Sequence, residues 1–108
     1  MSTPLEQAAA NLAQILKDRQ LRLVLAESCT AGLVAATLSR TPGISAWFCG
    51  SAVVYQEGTK VAWLGVSPQT LEQFTAVSQE TGFEMAQGVL RQTPHADVAA
   101  SITGHLGP

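Results

Sequence analysis

One serine of this chain lies at a junction where a hydroxyl group can act as a nucleophile. Ser28 follows the short apolar run LRLVL (21–25), which is typical of a buried strand, and precedes a small-residue helical pattern from Ala31 to Leu38. A hydroxyl at such a junction lies at the carboxyl edge of a sheet, where unpaired helix N–H groups can hold an anion or a developing oxyanion. Ser28 is therefore the candidate nucleophile. The alternative, a commoner role, is that Ser28 or Thr30 only caps the helix.

A nucleophilic serine needs a base, because its hydroxyl is weakly nucleophilic at neutral pH. Lys60, five residues after the strand-ending Tyr55, fits this role if it lies in a cleft, where lost hydration lowers its pKa. The alternative is an exposed Lys60 whose stem packs on the domain. Histidine is the rival base. His105, in a glycine-rich loop after a strand, is a better candidate than His95, which is expected in a surface turn.

Other reactive or aromatic side chains have less specific interpretations. Cys29 is either a thiol activated by the helix start or a small buried residue. The two histidines and two cysteines lack the paired spacings of a metal site, so no metal is expected. Three aromatic residues could stack on a ligand, or pack in the core or an interface: Trp47, Phe48 and Trp63.

The elements that position these residues alternate between helices and strands. After the strand at 21–25, further strands are predicted at 47–55 and at 97–102, and Gly50 and Ser51 either open the second strand or form a bulge in it. Helices are predicted from Pro4, capped by Thr3, through residue 17, at 31–38, at 59–64, at 68–74, and from the Ser78 cap to Pro94. This alternation predicts an α/β sheet with helices packed on its faces.

Composition restricts the class of protein. The chain has 108 residues, 46 % of them hydrophobic, which predicts one domain over residues 1–108 with a modest core. Its net charge of −2 and its lack of a Lys/Arg cluster argue against nucleic-acid binding. The apolar runs are too short to cross a membrane, and no signal-peptide pattern is visible. We expect a cytoplasmic protein with both thiols reduced.

Several segments together form a specific combination: AESCTAG (26–32), TPGISAWF (41–48), Tyr55 with Lys60 five residues on, LGVSPQTLEQFTAVSQET (64–81), EMAQGVL (84–90) and ADVAASITGHLGP (96–108). With them the chain resembles the C-terminal domain of the CinA (competence/damage-inducible) family, whose active members are nicotinamide-nucleotide amidohydrolases. The resemblance implies a three-layer α/β/α sandwich with a mixed sheet. It also implies that the chain is truncated at its C-terminus, before the family's last strand and helix.

The resemblance assigns roles to particular residues. Ser28 would be the nucleophile, Lys60 its base, and Tyr55 would line the site and support proton transfer. The resemblance implies that no metal or organic cofactor is needed. Residues that would bind the substrate lie at the helix start and in the opposing loop: Thr30, Ala31, Gly32, Thr103 and Gly104.

The implied reaction converts nicotinamide mononucleotide to nicotinic acid mononucleotide and ammonia through an acyl-enzyme on Ser28. Family members usually have glycine at position 31, asparagine at position 57 and a small apolar residue at position 105, where this chain has Ala31, Glu57 and His105. Glu57, His105 and the missing end motivate an alternative, a catalytically silent member that binds a phosphorylated nucleotide or a protein partner, although the motif matches favour the enzyme. The expected partners are a small pyridine nucleotide and further copies of the chain, since Trp and Phe residues left exposed favour self-association.

Overall fold

The sheet is built around β1 (Leu23–Glu27), which is buried along its whole length. It lies between β2 (Phe48–Val53) and β3 (Val98–Ile102), and both neighbours run parallel to it. The computed structural model describes residues 3–105, so the Leu-Gly-Pro end of the last motif (106–108) lies outside the described residues. Within 3–105 every strand pair is parallel, because each strand is followed by helices that return the chain to the same edge. The antiparallel strand of a mixed sheet is not among the described strands.

Five α-helices connect and cover the strands, and the signals that begin and end them are local. Thr3, Ser67 and Ser78 cap three of the helices through their side-chain oxygens, and Gly65 ends a fourth in the left-handed conformation. The helices are α1 (Pro4–Arg19), α2 (Leu33–Leu38), α3 (Glu57–Leu64), α4 (Pro68–Phe74) and α5 (Gln79–Gln92), with a 3₁₀ turn at Ile44–Ala46. None of the helices in the described part of the chain is long and apolar enough to cross a membrane.

Side chains alternate along β1 and divide the core into two clusters, one on each face of the sheet. Leu23 and Leu25 belong to the α1/α2 cluster, whose other buried members are Ala9, Leu16, Leu38 and Ile44. Val24 and Ala26 belong to the α3/α5 cluster, whose other buried members are Val54, Leu64, Val66, Met85 and Val89. The predicted α/β class with helices on both faces is therefore confirmed.

Two predicted boundaries differ near the candidate site. β1 ends at Glu27, two residues later than predicted, and α2 begins at Leu33 rather than at Ala31. The intervening turn contains Ala31 at φ 52° and Gly32 at φ 99°, so neither residue has helical geometry. The predicted bulge in β2 is present, because the pairing with β1 shifts register before Gly50, which has φ 147°.

Helix α5 passes close to the end of α3 at a glycine. A Cβ atom built on Gly88 would overlap the carbonyl group of Leu64, so only a residue without a side chain allows this approach. The contact matters for the site because α3 carries Lys60.

Candidate active site

Ser28 extends the edge of the sheet by one residue beyond β1. Its N–H donates to the carbonyl of Ile102 at 2.9 Å, which continues the pairing of β1 with β3. By the alternation of the strand, its side chain lies on the same face as Val24 and Ala26, toward α3. Ser28 is 7 % exposed, so its hydroxyl lies in a protected position at the carboxyl edge of the sheet.

Lys60 is the fourth residue of α3, and its side chain is directed into the domain toward Ser28. It is 1 % exposed, so the exposed lysine considered as an alternative is not found. Its Nζ atom lies 2.9 Å from Ser28 Oγ, 2.9 Å from the carbonyl oxygen of Val54 and 2.9 Å from that of Tyr55. The structure thus brings together the serine and the lysine that the sequence singled out.

The surroundings of Lys60 make it easier to deprotonate than a lysine in water. Burial lowers the pKa of its ammonium group, and the nearby charge of Glu57 raises that pKa by less, so the pKa lies below its ordinary value of 10.5. A neutral amine has two N–H donors and one lone pair. The two carbonyl oxygens can accept both N–H groups, which leaves the lone pair for the hydroxyl proton of Ser28. The charged form can donate to all three oxygens, so the site satisfies Lys60 before and after it takes a proton.

The carboxylate of Glu27 lies directly before Ser28, fully buried on the opposite face of the sheet. It accepts hydrogen bonds from Thr30 Oγ1 at 2.9 Å, Ser51 Oγ at 2.7 Å, and the N–H groups of Val34 and Ala35 at 2.9 and 3.2 Å. Glu27 is a functional candidate that the sequence pattern did not predict. The available signal was an acidic residue at the end of an otherwise apolar strand, three residues before a threonine.

The turn between β1 and α2 has few N–H groups left for a ligand. Glu27 accepts those of Val34 and Ala35, the Thr30 carbonyl accepts that of Leu33, and the Ser28 carbonyl accepts that of Ala31. Within residues 3–105 the N–H groups of Cys29, Thr30 and Gly32 meet no acceptor. The Thr30 hydroxyl is itself engaged by Glu27, so any contact of this turn with substrate would be made by the backbone.

The remaining predicted site residues surround the pair at greater distance. Tyr55 contributes its carbonyl oxygen to Lys60, whereas its side chain is 66 % exposed. Thr103 donates its hydroxyl to the carbonyl of Ala76 at 2.8 Å. A Cβ built on Gly104 would lie 3.5 Å from Cys29 Sγ, so the loop after β3 borders the turn that carries Ser28. Contact of these residues with substrate stays a prediction.

Neither histidine is hydrogen-bonded to the pair within the described residues. His95 is exposed and precedes β3, at the opposite edge of the sheet from Ser28. His105 is exposed beyond β3, and within residues 3–105 it makes no hydrogen bond with Ser28 or Lys60. Trp47 and Phe48 pack against the α1/α2 cluster, whereas Trp63 is 56 % exposed. No cluster of three or more potential metal ligands occurs in the part of the chain that the structure describes.

The chain is thus an α/β domain with a parallel sheet, helices on both faces and a buried serine–lysine pair at the carboxyl edge of the sheet. The chain belongs to the CinA C-terminal domain family, whose model matches residues 5–108. A CinA-like protein of Myxococcus xanthus is 46 % identical over 103 residues, which are 95 % of this chain and 24 % of that protein. A CinA-like protein of Chloroherpeton thalassium is 45 % identical over 105 residues, 97 % of this chain and 24 % of that protein.

Solved structures of the same superfamily share the fold. A competence-damaged protein (CinA) superfamily protein of Escherichia coli matches with a TM-score of 0.92 and 35 % identity, covering 100 % of this chain and 64 % of that one. A CinA superfamily protein of Enterobacter cloacae matches with a TM-score of 0.91 and 38 % identity, covering 100 % and 63 %. The chain therefore spans about a quarter of the two full-length relatives and under two thirds of these solved chains.

Proposed function

We propose that the domain is a nicotinamide-nucleotide amidohydrolase that converts nicotinamide mononucleotide to nicotinic acid mononucleotide and ammonia. The observation that carries the proposal is the 2.9 Å contact between Ser28 Oγ and Lys60 Nζ, both atoms belonging to buried residues. A nucleophile paired with a desolvated base is the arrangement that acyl transfer requires. Family membership supports the choice of substrate, because active members of the family hydrolyse this amide.

In the first half of the reaction, neutral Lys60 removes the hydroxyl proton of Ser28 as Oγ attacks the amide carbon. The N–H groups of Thr30 and Gly32 are the candidate donors to the oxyanion that forms. Lys60 then returns the proton to the departing nitrogen, the carbon–nitrogen bond breaks, and ammonia leaves an ester on Ser28.

In the second half, Lys60 takes a proton from a water molecule, whose oxygen attacks the ester carbon. The bond to Oγ breaks, the proton returns to Ser28, and the nicotinic acid nucleotide is released. Tyr55, Thr103 and Gly104 line the substrate side in this proposal. It needs no metal or organic cofactor, and it includes a cytoplasmic location and assembly into a homo-oligomer.

Ammonia release from nicotinamide mononucleotide by the complete natural polypeptide tests the proposal. Ser28→Ala and Lys60→Met should each lower kcat by about 10³-fold or more, since members of a catalytic unit each carry most of its effect. Lys17→Met, on the exposed surface of α1, is the matched control and should leave kcat unchanged. Undiminished turnover by a folded Ser28→Ala variant would contradict the proposal.

The three backbone N–H groups of this turn that meet no acceptor within residues 3–105 favour a second candidate, a silent family member that binds a phosphorylated nucleotide at this turn. In that case calorimetry would detect saturable binding of nicotinamide mononucleotide with no ammonia released. Binding accompanied by turnover would exclude this candidate.

A further inference from the structure

The buried carboxylate of Glu27 has no part in the proposed chemistry, yet the fold gives it a complete set of partners. Oε1 accepts from Thr30 Oγ1 and the N–H of Val34. Oε2 accepts from Ser51 Oγ and the N–H of Ala35. A buried carboxylate is costly unless it is fully hydrogen-bonded, and here each oxygen has two donors.

These partners maintain Glu27 as an anion. Burial raises the pKa of its carboxyl group, but the donors of Ser51, Val34, Thr30 and Ala35 together outweigh burial, so the pKa lies below its ordinary value of 4.5. Hydrogen bonds to an ionised acceptor are about twice as strong as those between neutral groups. At neutral pH the carboxylate is therefore a strong and permanent attachment point.

The four donors come from three different parts of the fold. Ser51 belongs to β2, Thr30 to the turn, and Val34 and Ala35 to the first turn of α2. Glu27 itself is the last residue of β1, and Ser28 follows it directly. The turn that begins with Ser28 is therefore fixed at both ends by one side chain.

Without this attachment the turn would have little to hold its conformation. Its internal backbone hydrogen bonds join the N–H of Ala31 to the Ser28 carbonyl and the N–H of Leu33 to the Thr30 carbonyl. Ala31 also has φ 52°, a left-handed conformation that is unfavourable for a residue with a side chain. An unfavourable backbone conformation persists only where surrounding contacts hold it.

We propose that Glu27 is a positioning residue, whose carboxylate holds the turn against β2 and α2 and so keeps Ser28 Oγ in contact with Lys60 Nζ. Its importance for catalysis rests on the proposed function. The geometry that it maintains can be measured without any substrate.

A crystal structure of Glu27→Gln tests the geometry directly. The glutamine amide keeps the size of the side chain but puts an NH₂ group in place of one carboxylate oxygen and removes the charge. The hydroxyl on that side can turn and accept from the NH₂ group, but the backbone N–H cannot, so one of the four contacts is lost and the other three are weakened. We expect the turn to shift and the Ser28 Oγ to Lys60 Nζ distance to exceed hydrogen-bond length. If Glu27→Gln does not fold, Ser51→Ala removes only the β2 contact and should lengthen the same distance to a smaller extent.

Labelling of Ser28 by a fluorophosphonate tests the consequence for reactivity. Ser28 Oγ forms a bond to phosphorus, fluoride leaves, and Lys60 takes the hydroxyl proton, so the adduct is detected by mass spectrometry. Because an atomic misplacement of about 1 Å can reduce a rate about 10²-fold, we expect labelling and kcat of Glu27→Gln to fall by about that factor, with KM retained. Ser51→Ala should fall less, and Leu16→Val, destabilised on α1 away from the pair, should label at the wild-type rate while folded.

The outcomes separate this inference from the proposed function. If Glu27→Gln or Ser51→Ala keeps the 2.9 Å contact and labels like Leu16→Val, the positioning role is overturned. If the wild-type protein neither labels nor releases ammonia, the proposed function fails, and the crystal structure of the variant still decides whether Glu27 positions Ser28.

Discussion

Opposing influences act on the pKa of Lys60, and their balance determines the pH at which it can act as a base. Burial lowers the pKa, whereas the carboxylate of Glu57, three residues earlier on α3, raises it. Burial is the larger of the two effects, so the lysine is easier to deprotonate than a lysine in water. A carboxylate at position 57 thus weakens the shift and does not reverse it.

Removing the charge of Glu57 should therefore extend the pH range of activity to lower pH. Glu57→Gln removes the negative charge that raises the pKa of Lys60, so this pKa falls further. The acid limb of the profile of kcat/KM against pH should therefore move to lower pH. Because Glu57 is exposed, the difference from wild type should shrink as salt is added. Glu72→Gln, an exposed charge on α4, is the control and should leave the limb in place. A limb that moves to higher pH would refute this account of Lys60.

Ser28 and Lys60 could be predicted from the sequence, but the groups that contact and position their side chains could not. Ser28 and Lys60 follow strand ends, and parallel strands bring such positions to one edge. The carbonyl oxygens of Val54 and Tyr55 were invisible because every residue carries a carbonyl group. Glu27 was overlooked because its partners on β2 and α2 are brought to it only by the folded sheet.

At the scale of elements, the contact between α3 and α5 depends on Gly88. In Gly88→Ala the added methyl group would overlap the Leu64 carbonyl, and the helices would have to separate. We expect a loss of about 2–3 kcal/mol in the free energy of unfolding, the cost of overpacking a well-packed contact. Urea denaturation followed by circular dichroism measures this loss.

Gly58→Ala supplies the matched control, since it makes the same change in α3 where a Cβ would meet nothing within 4 Å. There alanine should be neutral or stabilising by about 0.5 kcal/mol, through its better helix propensity. Equal effects at the two positions would show that close packing at Gly88 is not the cause.

Helices with capping residues and proline were predictable to within one or two residues, as α4 and α5 show. The start of α2 was not, because small residues favour a helix from Ala31 onward while Glu27 fixes the turn and receives the first helical N–H groups. Strand order and the parallel register also depend on contacts between distant residues, which a local pattern does not contain.

In the molecule as a whole, one strand separates two cores. Leu16 belongs to the α1/α2 cluster and Val89 to the α3/α5 cluster, on opposite faces of β1. Leu16→Val and Val89→Ala should each cost about 1–3 kcal/mol, and the double variant should equal their sum within about 0.5 kcal/mol. Val66→Ala combined with Val89→Ala, both in one cluster, is the comparison expected to deviate from additivity. Coupling above about 1 kcal/mol between Leu16 and Val89 would show that the sheet transmits strain between its faces.

The pairing of β1 with β3 also determines how much of the chain must be synthesised before the sheet can be completed. Leu23 pairs with Val98, a separation of 75 residues, and the N–H of Ser28 is accepted by Ile102. While the ribosome adds the residues up to β3, the central strand has an open side, the kind of exposed edge that invites pairing with other chains. The nucleophile therefore gains its backbone support only after residue 102 has been made, and a nascent chain interrupted earlier exposes its most apolar strand to aggregation.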